Sequence, residues 1–371
     1  MTAEEKQPIL EKYGKLLVRY CLDVQPGERV YINSSYLAEP LLREVIKQVY
    51  IAGGHPFLNT EINGTNGLLL EHGNEDQLRF VNPLKQYVFE NFECYLNIRA
   101  PFNRGDDEYE PKDVNRYKIA QEAQASINKI YFERLGEGKI KRCLCQYPTQ
   151  GGADDARMSL DEYERFVFQS CFLFDADPVA RWLEVRTEQA LYVERLNRAD
   201  KVQYRGKNID VTFSVKGRTW INSDGRANMP SGEVFSAPVE DSVNGHVYFT
   251  YPTIYNGKDV EGVRLEISKG EVVKWSAEKG GDILDKVFAI AGARYWGEVA
   301  IGTNRNIQRT TRNILFDEKI GGSIHMAVGQ SYKQCGGKNE SAVHWDLITD
   351  MKDGGEIIAD GEVIYRNGAF L

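Results

Sequence analysis

The segment from Ser341 to Ile348 contains the sequence pattern with the clearest chemical potential. If it forms a strand, His344 and Asp346 are two residues apart and point to the same face of a sheet. An imidazole and a carboxylate on one face are side chains that bind divalent metal ions. His325 has a similar context, because the apolar residues around it alternate to the other face. The chain has only five histidines, so we consider these two as candidate metal ligands. The alternative is that they are ordinary histidines paired with backbone or carboxylate groups, which would give the same pattern.

Two carboxylates stand in unusually apolar surroundings. Glu233 follows Pro230 and Gly232 and precedes a valine and a phenylalanine, whereas Glu298 lies beside a glycine in a mainly apolar run. A carboxylate buried in such a run needs a cation or a hydrogen-bond network, and the alternative is a strand position that faces solvent. Two histidines and three carboxylates together match a divalent site for Zn²⁺, Co²⁺ or Mn²⁺.

Four motifs in this half of the chain resemble the aminopeptidase T family of metallo-aminopeptidases, which includes AmpS and PepS and is also called the thermophilic metalloprotease family. They read NMPSGEVF at 228–235, GEVAIG at 297–302, DEKIGGSIHMAVGQSY at 317–332 and SAVHWD at 341–346. The first half resembles the family more loosely, chiefly at 157–163.

The resemblance implies a cytoplasmic, homodimeric exopeptidase that holds two divalent metal ions per chain and acts on small peptides with a free N-terminus. It implies an α/β N-terminal domain and a β-rich C-terminal domain that carries the site. It assigns the active-site tyrosine to Tyr332. The metal ligands that it implies are Glu233, Glu298, His325, His344 and Asp346.

Peptide hydrolysis at neutral pH needs an activated water and a polarised carbonyl, and two neighbouring metal ions can supply both. Our hypothesis is that Glu298 bridges the two ions, since a carboxylate has two oxygens. Tyr332 would then donate a hydrogen bond to the oxyanion formed on the attacked carbonyl. Glu318 is a candidate general base or a carboxylate that supports the ligands, and the alternative is a surface charge beside Lys319.

Glu233 and His325 are expected to complete one metal site, and His344 and Asp346 the other.

Two other function classes fit part of the pattern. His325, His344 and Asp346 alone form the two-histidine, one-carboxylate set of mononuclear non-haem Fe(II) oxygenases, among them ring-cleaving dioxygenases that resemble this family. The presence of Glu233 and Glu298 favours a second metal and therefore the peptidase. A catalytically inactive, peptide-binding relative would be expected to lack at least one ligand.

The elements that must position these residues change character along the chain. The first half alternates predicted strands and helices, such as a strand at 29–34, a helix at 39–50 and an extended segment at 55–62, which indicates a mostly parallel sheet. From residue 201 the period is two, and residues 217–221 read as a strand. A single helix is predicted at 282–295. We therefore predict an α/β N-terminal domain with a mostly parallel sheet (1–195) and a β-rich (α+β) C-terminal metal-binding domain (196–371).

Three dipeptides in the second half, Asn256-Gly257, Lys269-Gly270 and Asp360-Gly361, are typical of tight hairpin turns.

Composition excludes several classes of protein. The 371 residues carry 46 − 54 = −8 charges with histidine neutral and no long basic run, so a nucleic-acid partner is not expected. The mean hydropathy is −0.46 and no segment has the roughly 18 consecutive apolar residues of a membrane helix. The acidic N-terminal segment does not resemble a secretory signal, so a cytoplasmic location is expected. The six cysteines form no zinc-like pair and are expected to be reduced thiols.

Overall fold

The computed structural model describes residues 1–103 and 114–371. These residues form two compact units. The N-terminal unit comprises Met1–Val179 and Gly225–Met229, and the C-terminal unit comprises Ala180–Asp224 and Pro230–Leu371. The domain limits 1–195 and 196–371 stay a prediction, because compactness alone does not determine where a chain folds independently.

The helices are distributed over both units. They are α1 (Ala3–Leu16), α2 (Glu39–Ile51), α3 (Thr65–His72), α4 (Glu75–Leu78), α5 (Pro83–Asn91), α6 (Val114–Ala123), α7 (Ala125–Gly136), α8 (Gln150–Asp155), α9 (Leu160–Ser170), α10 (Pro178–Asn197), α11 (Gly281–Phe288) and α12 (Ile314–Asp317). A π-helical turn (Leu17–Cys21) follows α1, and 3₁₀ turns lie at Tyr36–Ala38 and Lys333–Cys335.

The strands become short and frequent after residue 200. They are β1 (Arg29–Ser35), β2 (His55–Glu61), β3 (Cys94–Arg99), β4 (Lys141–Gln146), β5 (Lys201–Gly206), β6 (Ile209–Ser214), β7 (Ile221–Ser223), β8 (Asn228–Met229), β9 (Glu233–Ser236), β10 (Asn244–Phe249), β11 (Thr253–Tyr255), β12 (Lys258–Val260), β13 (Val263–Ser268), β14 (Glu271–Ser276), β15 (Trp296–Gly302), β16 (Ser323–Gly329), β17 (His344–Asp350), β18 (Glu356–Ala359), β19 (Glu362–Arg366) and β20 (Ala369–Phe370).

The N-terminal unit contains a parallel sheet in the order β2-β1-β3-β4-β8. Helices connect successive strands, as expected for βαβ units, because parallel neighbours need a crossover connection. Helices α1 and α9 begin with capping boxes, in which Thr2 and Ser159 each accept a hydrogen bond from the backbone of a glutamate three residues later. The predicted α/β class of this half is confirmed.

The C-terminal unit is rich in antiparallel strands, as predicted. One sheet has the order β14-β13-β10-β6-β5-β18-β19-β20 and another has the order β17-β16-β15-β9-β7. The hairpin turns at Asn256-Gly257, Lys269-Gly270 and Asp360-Gly361 form where they were predicted, and all six residues have positive φ. This conformation suits the right-handed twist of the strands that the turns join.

Two predicted elements are wrong in extent. Residues 217–220 are not a strand, and β7 begins only at Ile221. The helix predicted at 282–295 ends at Phe288, and the chain then turns through Gly292 at positive φ before β15 begins. In both places the sequence pattern of a regular element continues into residues that form turns or irregular segments.

The sheet β17-β16-β15-β9-β7 has two faces of different composition. One face packs into the hydrophobic core of the C-terminal unit through Val234, Val299, Ile301, Ile324, Met326, Val328, Trp345 and Leu347. The residues between them belong to the other face, which contains the charged residues discussed below. Among the described residues, no helix has the length and apolar character needed to cross a membrane.

Candidate metal centre

The register of four neighbouring strands brings the five predicted ligands to one face of this sheet. Strand β16 is paired with β15 and β17, so that Ala300 lies opposite His325 and Ala327 lies opposite Asp346. Residues paired across antiparallel strands point to the same side, and so do residues two apart on one strand. The further pairs Glu298↔Ala327, Gly329↔His344 and Gly302↔Glu233 therefore add the remaining three ligands to this face.

Small residues separate the charged ones on this face. Ala300, Gly302, Ala327 and Gly329 all belong to it, and both alanines are fully buried. Longer side chains at these positions would fill the space between the carboxylates and the imidazoles. This face of the sheet thus forms a floor, above which the ligand side chains converge.

Glu298 is placed by an irregularity in β15. The pairing with β16 shifts between Trp296 and Glu298, so that Gly297 is an extra residue in the strand. A Cβ atom at Gly297 would lie 2.1 Å from the carbonyl oxygen of Gln330, which only glycine avoids. The bulge therefore requires Gly297 and sets the face to which Glu298 points.

The two oxygens of Glu298 lie near different histidines. Oε1 is 3.6 Å from Nε2 of His325, and Oε2 is 3.1 Å from Nε2 of His344. Two outer carboxylates continue the arrangement, since Oε2 of Glu233 is 3.5 Å from Nε2 of His325 and Oδ1 of Asp346 is 3.6 Å from Nε2 of His344. We call Glu233, His325 and Oε1 of Glu298 the His325 group, and Oε2 of Glu298, His344 and Asp346 the His344 group.

Three of these four separations, at 3.5 to 3.6 Å, are longer than good hydrogen bonds, whereas Nε2 of His344 lies within hydrogen-bond distance of Glu298. With metal–ligand bonds of about 2.1 Å, two ligand atoms of a tetrahedral site lie about 3.4 Å apart, close to the distances within both groups. Oε2 of Glu233, Oδ1 of Asp346 and both ring nitrogens of His325 are buried and have no hydrogen-bond partner among the described residues. Buried polar atoms rarely lack a partner, so a divalent metal ion fits this donor set.

Two overlapping sets offer ligand atoms within 4.8 Å of one another: Glu233, Glu318 and His325, and Glu298, His325 and Asp346.

His344 is oriented by the backbone. Its Nδ1–H donates to the carbonyl oxygen of Gln330 over 2.7 Å, so that Nε2 faces Glu298 and Asp346 and is the nitrogen that would bind an ion after losing its proton. A hydrogen bond of this kind on the second nitrogen fixes the tautomer of a metal-binding histidine. The hydroxyl of Tyr332 lies 3.3 Å from Nε2 of the same ring, and 38% of this tyrosine is exposed. Tyr332 is thus at the open side of the centre.

Glu318 lies at the edge of the centre rather than on the open surface. Its carboxylate contacts the ammonium of Lys319, whose side chain is completely buried and whose Nζ is 3.6 Å from Oε1 of Glu233. The sequence does not predict the burial of Lys319. Its neighbours in the sequence do not indicate burial, because a lysine that follows two acidic residues is usually solvated.

The electrostatic environment shifts the ionisation of the centre strongly. Burial raises the pKa of Glu298, but the two histidines outweigh burial and hold it below its ordinary value. Burial lowers the pKa of both histidines, yet the surrounding carboxylates raise that of His325 to about 9 and that of His344 to about 12. Burial raises the pKa of Asp346, and His344 overrides this and lowers it to about 2.

The pKa of Glu318 differs from those of the ligands, because burial raises it to about 8 despite the opposing charge of Lys319. Burial lowers the pKa of Lys319, but Glu233 and Glu318 hold it above its ordinary value. The pKa of Tyr332 is raised far above its ordinary value by burial and by the nearby carboxylates. Tyr332 therefore stays protonated and can act as a hydrogen-bond donor.

The remaining three histidines lie elsewhere. His246 is exposed on β10 in the other antiparallel sheet, and His55 and His72 are exposed in the N-terminal unit.

Comparison with known proteins gives a consistent result. The sequence pattern of the family described as thermophilic metalloprotease (M29) matches residues 6–370, which is nearly the whole chain.

The chain belongs to this family.

Named aminopeptidases match along nearly their full length. Aminopeptidase 2 of Geobacillus stearothermophilus is 27% identical, with 97% of each chain covered, and aminopeptidase T of Thermus thermophilus is 26% identical, with 97% of this chain and 95% of the relative covered. The structure of wild-type AmpT from Thermus thermophilus matches with a TM-score of 0.83 at 22% identity and covers 99% of this chain and 100% of that one. The predicted family, fold class and peptide-hydrolase class are confirmed.

Proposed function

We propose that this metalloprotease is an aminopeptidase that releases N-terminal residues from small peptides with the help of two divalent metal ions. The arrangement of Glu298 carries the proposal, because its two oxygens lie 3.6 and 3.1 Å from the Nε2 atoms of two different histidines. A carboxylate placed in this way is suited to bridge two ions. The relatives named as aminopeptidases support peptides with a free N-terminus as the substrate class.

The ligand assignment follows the two groups. Glu233 and His325 would hold one ion, His344 and Asp346 the other, and Glu298 both. Bound ions would supply Lewis acidity toward the peptide carbonyl and a lowered pKa for water. We propose Zn²⁺, Co²⁺ or Mn²⁺, since imidazole and carboxylate ligands suit these ions.

Two further residues are proposed to act on the reacting groups. The hydroxyl of Tyr332, a partly exposed residue at the open side of the centre, donates a hydrogen bond to the oxygen of the attacked carbonyl as negative charge develops on it. Glu318, with a pKa of about 8, takes the proton from the attacking water and passes it to the leaving amine. A carboxyl group with a pKa near neutrality can serve in both directions of this transfer.

The test is a metal-depletion assay on amino-acid p-nitroanilides. We expect the chelated protein to be inactive and to recover activity with Co²⁺, Zn²⁺ or Mn²⁺. The matched substrate control is the N-acetylated p-nitroanilide, which has no free amine and should not be cleaved. Activity that survives complete metal removal would contradict the proposal, and equal cleavage of the acetylated substrate would contradict the aminopeptidase assignment.

Metal stoichiometry distinguishes this function from a mononuclear Fe(II) oxygenase or a peptide-binding protein without activity. Elemental analysis of the reconstituted protein should give two divalent ions per chain. One iron per chain with dioxygen uptake would favour the oxygenase, and peptide binding without turnover would favour the inactive relative. The separate environments of His325 and His344 support the two-ion alternative.

The homodimer and the absence of a nucleic-acid partner are also part of this proposal. The family resemblance supports the dimer, and the net charge of −8 supports the second point. Sedimentation equilibrium of the full chain gives the oligomeric state directly, and a monomeric mass at micromolar concentration would contradict the dimer.

A further inference from the structure

Lys319 is a buried cation on one side of the metal centre. Its side chain is 0% exposed, and its ammonium contacts Glu318 and lies 3.6 Å from Oε1 of Glu233. Complete burial of a lysine is uncommon and requires paired carboxylates. The mechanism proposed above does not use this charge.

The backbone brings Lys319 to this position. Its carbonyl oxygen accepts a hydrogen bond from Asn304, and Gly302 packs so closely that a Cβ atom there would lie 2.3 Å from the carbonyl oxygen of Ile320. Gly302 is paired with Glu233 across β15 and β9. The lysine is therefore held next to the strand pair that carries Glu233.

The two metal-binding groups feel this charge unequally. Glu233 divides its oxygens, with Oε1 toward Lys319 and Oε2 toward His325. In the His344 group, Glu298 and Asp346 pair with His344, and the charge of Lys319 acts on Asp346 only from beyond ion-pair distance. A fixed positive charge weakens the binding of a nearby cation, and the effect is large where water is excluded and falls with distance.

We propose that Lys319 makes the two groups unequal in metal affinity, so that the His344 group fills first and the His325 group fills only at a higher metal concentration. This inference rests on the proposed two-metal function. Lys319 has no exposed surface, so it acts through Glu233 and Glu318 and is a positioning residue rather than a catalytic one.

The test is a titration of the metal-free full chain with Co²⁺, followed by the visible d–d absorption of the bound ion and by equilibrium dialysis. The wild type should bind two ions in two steps separated by about tenfold or more in concentration. In Lys319→Met the second step should move to about tenfold lower concentration and approach the first, since the repelling charge is gone. An unchanged or weakened second step in a folded Lys319→Met would overturn the proposal. Lys279→Met, which removes an exposed lysine paired with Asp259, is the matched control and should leave both steps unchanged.

A second pair of variants tests the order of filling without altering the lysine. Asp346→Asn should abolish the first step and Glu233→Gln the second, as read from the wild-type absorption bands. The opposite assignment would overturn the proposal even if Lys319→Met does not fold. A wild type that binds no Co²⁺ contradicts the proposed function itself, whereas two equal sites with full peptidase activity contradict only the role of Lys319.

Discussion

Glu298 is the residue on which both halves of the centre depend. Its burial and its position between two imidazoles mean that neither group is complete without it. Glu318 contacts a lysine instead and lies at the edge of the centre. The two glutamates should therefore respond differently to the same substitution.

The first prediction compares Glu298→Gln with Glu318→Gln. A glutamine amide cannot bridge two cations, so Glu298→Gln should lose bound metal and nearly all activity. Glu318→Gln should keep two ions and lower kcat by about 10²- to 10⁴-fold, as expected for loss of a general base. Metal content and kcat are measured for both variants, and equal losses in both quantities would contradict the bridging assignment.

Tyr332→Phe removes one hydroxyl at the open side of the centre. We expect kcat to fall by about 10²- to 10³-fold with KM and metal content nearly unchanged, because the hydrogen bond is made to the developing oxyanion. Tyr248→Phe is the control, since its hydroxyl bonds Glu278 on the other antiparallel sheet. A Tyr332→Phe enzyme that loses bound metal but keeps its kcat would contradict this role and would indicate that the hydroxyl positions His344.

The ionisation of the histidines predicts how metal binding depends on pH. With pKa values of about 9 and 12, His325 and His344 are protonated at pH 7.5 in the metal-free protein, and both must lose a proton to bind an ion. Metal affinity should therefore rise with pH, and loading at pH 7.5 should release about two protons per chain. Calorimetric titration in buffers of different ionisation enthalpy measures this release, and affinity that falls as pH rises would contradict it.

At the scale of the strands, the spacing of small residues determines whether the ligands can meet. Ala327 is fully buried and lies opposite both Glu298 and Asp346. Ala327→Leu should displace these carboxylates and abolish metal binding, whereas Ala327→Ser, which adds one small atom, should retain both ions. Metal content is compared with circular dichroism and thermal unfolding, and a folded Ala327→Leu protein with two ions would contradict the role of the floor.

Local sequence patterns correctly predicted the two faces of the strands and the hairpin turns of the C-terminal unit. Alternation around His325 and His344 correctly predicted one polar and one apolar face, because the side-chain period of a strand is strictly two. The three hairpin turns were also predictable from local sequence, because each contains a glycine, which readily adopts positive φ. The roles of the five ligands and of Tyr332 remain predictions, although the structure brings all six side chains together.

Other features depend on contacts far apart in the sequence. At the bulge, Gly297 closely approaches the backbone of Gln330, and Lys319 is buried where Gly302 packs against the backbone of Ile320. Neither contact can be predicted from the residues next to it in the sequence. The overlong helix at 282–295 has a related cause, since apolar residues after Phe288 fit a turn as well as a helix.

At the scale of the molecule, the five tryptophans are all in the C-terminal unit: Trp182, Trp220, Trp275, Trp296 and Trp345. Their fluorescence therefore reports the unfolding of the unit that holds the metal centre. Ligand binding to the folded state adds about 2.7 kcal/mol at a concentration 100 times Kd.

Chelation should accordingly lower the midpoint of the tryptophan-detected unfolding transition. The control is Glu298→Gln, which we expect to bind no metal and therefore to unfold at the same midpoint with and without chelator. A wild-type midpoint that ignores chelation would contradict a metal-loaded C-terminal unit.

The register of β16 with its two neighbouring strands determines which side chains face the metal centre. Residues of the ligand-bearing face alternate with core residues along β15, β16 and β17. Loss of one residue within a strand would turn a ligand that follows it toward the core and bring valine or isoleucine into the site. Insertions and deletions leave this register intact only when they fall between the strands, for example at 333–339. Members of the family are therefore expected to differ in length in their loops and to keep the lengths of these three strands.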